Sequence, residues 1–168
     1  MDDGNRKHAA CAKAAEESGA PRACPQPTVY KAVLWAARVA VLAVFLMNVQ
    51  CAVQFIVWPD AFAPAYELSG VAGNIAVQGL GVAFLMWNAT YPPVIVDPVK
   101  HRTLFAVVLT QQTIGLIGES AILVSIPAGH DLLASSIARF VAFDGAGLVV
   151  MAAAFVVLSL FSKRMQAT

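Results

Sequence analysis

Gln111-Gln112-Thr113-Ile114-Gly115-Leu116-Ile117-Gly118-Glu119-Ser120 lies inside an apolar run over 104–126. That run is long enough to cross a bilayer as a helix. A carboxylate at mid-depth has no water to solvate it and costs about 2.5–3.5 kcal/mol on insertion scales. Glu119 therefore requires compensation from elsewhere in the chain, and the polar residues able to provide it define the candidate site.

The remainder of the sequence has the same character. Of 168 residues, 59% are hydrophobic and 12% charged, and the mean hydropathy is +0.70. Soluble domains carry about 25% charged residues, so this is the composition of a membrane protein. A net charge of +1 lacks the basic face that nucleic acid requires. Cys11, Cys24 and Cys51 form neither CxxC nor CxxCH, which argues against a disulfide framework. His8, His101 and His130 all lie outside the apolar runs, so no haem is expected between the helices.

Four apolar segments, at about 33–57, 70–88, 104–126 and 137–161, each approach the length of a transmembrane helix. They predict an all-α fold, a four-helix transmembrane bundle. The second helix can continue toward Val96 with a kink at Pro92-Pro93. Trp58, Trp87 and Tyr91 fall at span ends, as an interfacial aromatic belt requires. Residues 1–29, broken by Pro21, Pro25 and Pro27, read as a frayed or disordered tail, and 162–168 as a second tail. The first apolar run begins too late and lasts too long for a cleaved signal peptide.

Every Lys and Arg except Arg139 falls on one face of the membrane, and the loops at 58–69 and 127–136 carry none. By the positive-inside rule both termini are cytoplasmic, and the protein is a multi-pass component of the cell (inner) membrane. The aromatic, acidic outer segment predicts a short interfacial helix with Pro59 in its first turn. Ser69 and Asp131 are candidate N-caps for the helices that follow.

Depth follows from 1.5 Å of rise per residue. Gln54 and Gln50 lie about 6 and 12 Å below the outer boundary at Trp58, and Asn74 and Gln78 at similar depths below Gly70. Glu119 is about 10 Å deep, and Asp144 about 7–8 Å below Arg139 on its helix. Gln50/Gln54 and Asn74/Gln78 are i,i+4 pairs, and Gln112 and Glu119 are seven apart, so each pair shares a helix face. Polar faces in a membrane point into the bundle. Glu119, Arg139, Asp144, Gln50, Gln54, Asn74, Gln78 and Gln112 are thus the expected ligand-binding residues of one outer-leaflet polar layer. Arg139 can neutralise one of the two acids, leaving the other to carry a proton. The competing reading is interhelical glue, for which amide hydrogen bonds contribute about 0.6–2 kcal/mol each.

Small residues surround this layer: Gly73, Gly79 and Gly81 on the second helix, Gly115 and Gly118 on the third, Gly145 and Gly147 on the fourth. They permit close helix approach or leave room for a ligand. Met47, Phe84, Met86 and Phe143 are expected to face lipid or core. A weak echo, Gln50-Cys51-Ala52-Val53 against Glu119-Ser120-Ala121-Ile122 and Gln78-Gly79-Leu80-Gly81 against Asp144-Gly145-Ala146-Gly147, would make the chain a duplicated hairpin.

An apolar first helix ending in Trp58-Pro59-Asp60, a Gly-rich second helix and a basic inner turn at Lys100-His101-Arg102 resemble small bacterial four-helix membrane proteins of the DoxX-like kind. The resemblance covers 33–161 as architecture. It implies a membrane partner of a quinone-linked redox enzyme, and it transfers no catalytic residue. GxSxG, HExxH and P-loop motifs are absent, so the sequence points away from an enzyme. Arg139 beside the acids points away from a metal. The expected partners are the lipid bilayer and a membrane protein or second copy of the chain. The expected ligand is a quinone or lipid in an outward-facing polar pocket. Transport or proton conduction, and a purely structural intramembrane salt bridge, are the alternatives.

Overall fold

The computed structural model describes residues 27–166 together with Arg6, Ala9 and Lys13. Those three are helical, as are 27–29 of the expected N-terminal tail; the remainder of that tail, Cys11 and Cys24 included, lies outside the described residues. Among the described residues there is no strand. The order is α1 (Pro27–Val57), α2 (Pro59–Phe62), a 3₁₀ turn (Ala63–Tyr66), α3 (Gly70–Asn88), α4 (Tyr91–Val96), α5 (Arg102–Ser125) and α6 (Asp131–Gln166). Four helical stretches are long and apolar enough to cross a membrane: Thr28–Val57, Gly70–Val96, Arg102–Ser125 and Asp131–Lys163.

The outer helices run past their apolar segments. α1 begins at Pro27, a residue favoured in a helical first turn because it has no N–H to leave unsatisfied. α6 extends through 162–166, so most of that second tail is helix. At its start Asp131 occupies the first turn, where its charge opposes the positive end of the helix dipole. Ser69 has the extended backbone of an N-cap, but its hydroxyl caps nothing. The break after α3 falls at Ala89-Thr90, ahead of the proline pair; Pro92 and Pro93 sit in the first turn of α4, where proline fits.

α1 is the central element, packed along α3, α4 and α6, while α5 packs along α6. The core has two parts. One gathers Ala37, Val41 and Val44 of α1 with Tyr91, Val94, Phe105, Val108, Met151 and Leu158. The other is built on Phe55, Ala63 and Val77, flanked by Phe62, Tyr66, Phe84 and Phe140. Large apolar residues such as Trp35, Leu46, Ile114 and Val149 point outward, as suits a bundle bathed in lipid.

α2 and the 3₁₀ turn fold back onto the bundle where α1 ends and α3 begins, in contact with α3 and α6. Leu68 N–H donates to Ala63 O, Glu67 takes a left-handed backbone (φ 57°) and Gly70 follows at φ 67°. The Glu67 carboxylate meets His130 Nδ1 in the α5–α6 loop, and Asn74 on α3 bonds Asp60. The outer segment is therefore two short helical turns tied to the helices beside it. The hairpin echo does not extend to packing: Gln78 meets Ile56, whose counterpart is Ser125, whereas Asp144 meets Gln112.

Candidate functional site

Between the two core clusters the bundle encloses a cavity of about 330 Å³. From α1 it is lined by Met47, Asn48, Cys51 and Phe55, which recur at helical spacing along one face. The outer segment adds Phe62, Ala65 and Tyr66, and α3 adds Phe84, Trp87 and Asn88. The opposite wall is Gln112 and Glu119 from α5 with Ser136, Arg139, Phe140, Phe143 and Asp144 from α6.

α3 and α5 do not pack along each other. The space between them is bridged by the Trp87 ring, which lies so close to Gly115 that a Cβ there would come within 2.9 Å of Trp87 Cη2 and 3.1 Å of Asp144 Oδ2. Glycine at 115 is what admits the indole beside the carboxylate.

On the side of α4 the cavity rests on a hydrogen-bonded polar network. Gln112, only 2% exposed, donates from Nε2 to Asp144 Oδ1 at 2.8 Å and accepts at Oε1 from the Tyr91 hydroxyl at 3.1 Å. A second pair beside it joins Thr90 Oγ1 to Gln111 Oε1 at 2.9 Å. Higher on the walls, polar atoms stand buried without partners: Glu119 Oε2, Trp87 Nε1 and Asn88 Oδ1. Asn88 is 3% exposed. Its Nδ2 donates to Phe84 O at 2.7 Å, which fixes the amide orientation, since that carbonyl can only accept.

Of the eight expected residues, the structure brings Glu119, Asp144, Gln112 and Arg139 to one cavity. Arg139 is paired with neither acid. Its Nη2 donates to Ser136 Oγ, one turn back on α6, at 3.2 Å. The residue is exposed, and a guanidinium that reaches water avoids the desolvation a deeper pair would impose. Burial raises the Tyr66 phenol above its usual range, with Cys51 and Glu119 adding to the rise and Arg139 opposing it. Tyr66 thus stands within the fields of both charged groups.

The other four lie elsewhere. Asn74 and Gln78 do share a face of α3, but it points to α1 and the outer segment: Asn74 bonds Asp60, and Gln78 Nε2 donates to Ile56 O at 3.1 Å. They tie the turn at 59–66 and α1 to α3 and do not line this cavity. Gln50 is exposed and Gln54 half-buried, and neither lines the cavity. The cavity face of α1 is instead the one carrying Asn48, Cys51 and Phe55.

Sequence reasoning missed Asn48, Tyr66, Trp87, Asn88 and Ser136. Trp87 is half-buried in the cavity wall, where a belt residue was expected, and Met47, Phe84 and Phe143 also line the cavity. A signal existed at the end of α3, because Phe84 and Asn88 are four apart and share the helix face that lines the cavity. Among the described residues no group of three metal-ligating side chains comes together.

Compared with protein-family models, curated proteins and solved structures, the chain matches none of them.

Proposed function

We propose that this chain is an inner-membrane protein of the DoxX-like kind, with both termini cytoplasmic, that holds a small amphipathic molecule in its outer-half cavity as an accessory subunit. A quinone and a lipid are the two ligand classes of suitable size and polarity. One observation carries the reading: three residues that each hold a buried polar atom without a partner, Glu119 (Oε2), Trp87 (Nε1) and Asn88 (Oδ1), line a single aromatic-walled cavity. Buried polar groups are almost always hydrogen-bonded, and leaving one unmade costs about 1–3 kcal/mol. A concave apolar site with a few convergent polar groups is the usual form of a small-molecule pocket. The separation of α3 and α5 suits entry of a ligand dissolved in the bilayer.

Purification in mild detergent followed by mass spectrometry tests this. A specific small molecule is expected to accompany the wild-type protein and to be lost from Glu119→Gln. Recovery of bulk lipid alone from both proteins would refute the reading. The orientation has its own test: Ser135→Cys should react with an impermeant maleimide on intact cells, while the wild-type cysteines should not.

A second reading, transport or proton conduction, draws on the Asp144–Gln112–Tyr91 chain, which continues inward from the cavity. It requires a flux into liposomes that Glu119→Ala abolishes; an unaffected flux removes it.

A further inference from the structure

The polar groups of the cavity go further than admitting an amphipathic molecule; their balance specifies its charge. We propose that the occupant carries one positive charge, on an ammonium group held by the Glu119 and Asp144 carboxylates against aromatic rings. The inference rests on the reading of the cavity as a binding site.

Three observations support it independently. The first is the balance of hydrogen-bonding atoms. Glu119 Oε2 and Asn88 Oδ1 are buried acceptors without donors, and Asp144 has a second oxygen beyond the one Gln112 occupies. Against these stands one buried donor without an acceptor, Trp87 Nε1. Asn48 and Tyr66 can both donate and accept, so they tip the balance neither way. Asn88, more than nine-tenths buried, is the group least able to find another donor. A ligand that completes this site is a hydrogen-bond donor.

The second is the charge inventory. In their ionised forms Glu119 and Asp144 carry two negative charges, and Arg139 supplies one positive charge among the lining residues. One negative charge remains in this inventory, and an ammonium group is the ligand group that opposes it. A metal ion is a poor candidate, because no cluster of three ligating side chains exists among the described residues.

The third is the wall. Phe55, Phe84 and Phe140 form a triangle of rings with centroids 6.0, 6.1 and 6.2 Å apart, and all three line the cavity. Aromatic faces attract cations, ammonium groups in particular. A neutral quinone would use the rings but leave the acceptors and the charge unanswered.

The ammonium can belong to a free lipophilic amine or to the headgroup of an aminophospholipid, and one experiment separates both the charge and the source. Wild-type protein in phosphatidylglycerol nanodiscs is titrated with phenethylammonium and with n-propylbenzene, its uncharged isostere, by calorimetry at pH 7. The expected result is a preference for the ammonium of about tenfold or more. Glu119→Gln should reduce that preference. Equal affinity for the two probes on the wild-type protein overturns the charge assignment and leaves the binding site standing. Binding of neither overturns the binding site itself. Because the preference is read on the wild-type chain, the test does not depend on a variant folding. Adding phosphatidylethanolamine to the nanodiscs identifies the source. Suppressed phenethylammonium binding assigns the ammonium to the lipid headgroup, and unchanged binding assigns it to a free amine; both outcomes support an ammonium group in the cavity.

Discussion

Gly81 is the glycine on which the α1–α3 contact turns. A Cβ placed there would lie 2.8 Å from the Ala52 carbonyl oxygen, 2.9 Å from Ile56 Cγ1 and 3.0 Å from Phe55 Cβ. The first is backbone and the third is the root of a side chain, so neither can rotate away. Gly81→Ala must push the two helices apart along a buried seam. Overpacking of this kind costs about 1–3 kcal/mol. The same helix holds its own control, since a Cβ at Gly79 would meet nothing within 4 Å. Both variants exchange glycine for alanine in α3, so the propensity difference of up to about 1 kcal/mol cancels when they are compared. Gly81→Ala should therefore be less stable than Gly79→Ala by about 1–3 kcal/mol. The assay is reversible unfolding in mixed micelles with increasing dodecyl sulfate, followed by tryptophan emission. Equal midpoints for the two variants would show that the helices do not touch where the structure places them.

Gly115→Ala, which meets the movable tip of the Trp87 ring, should shift tryptophan emission and weaken ligand retention with less than about 1 kcal/mol lost in unfolding. Glu119→Leu should raise stability by about 1–3 kcal/mol, because it removes a buried acceptor that has no partner, while ligand retention is lost; a destabilised variant would mean that Glu119 is paired. Gln112→Leu strands Tyr91 and Asp144 together and should cost about 1–3 kcal/mol, with a coupling to Tyr91→Phe of no more than about 1.7 kcal/mol in a double-mutant cycle. Glu67→Gln should change stability by less than about 1 kcal/mol despite its contact with His130, since both groups are exposed.

The spans were legible because the signal is long and one-dimensional: about 20 consecutive apolar residues leave little else for a segment to be. Their facing was harder. In a lipid-bathed bundle the outward residues Val39, Leu42 and Leu46 are as apolar as the inward Ala37, Val41 and Val44, so hydrophobicity cannot orient the helix. Polar residues were the remaining guide, and they indicate that a face avoids lipid without saying what it meets. Asn74 and Gln78 avoid lipid by binding a neighbouring backbone and the outer turn, while Glu119 and Asp144 do so by facing a cavity. The glycines divide in the same way. Gly81, Gly115 and Gly147 lie against neighbours, whereas Gly79 and Gly118 meet nothing, and composition alone treats all five alike. Trp87 was misplaced for a related reason: its position near a span end fits an interfacial belt, and only the third dimension shows Gly115 making room for it.

The arrangement of the acids bears on whether the polar layer is structural. A structural salt bridge would set Arg139 against Glu119 or Asp144, because a buried charge stranded from its partner costs several kcal/mol. Arg139 instead donates to Ser136, one turn away on the same helix. Asp144 receives a hydrogen bond on Oδ1 from Gln112, whose other end is held by Tyr91, so this acid is positioned by amide and phenol rather than by Arg139. Glu119, two turns further along α5, is left with a buried oxygen that no described residue of the bundle addresses. A bundle built for stability alone would carry an apolar residue there, as its neighbours at 117 and 122 are. Retaining the carboxylate where it opposes folding, in a cavity walled by aromatic rings, is the pattern expected of a group whose partner arrives from outside the chain.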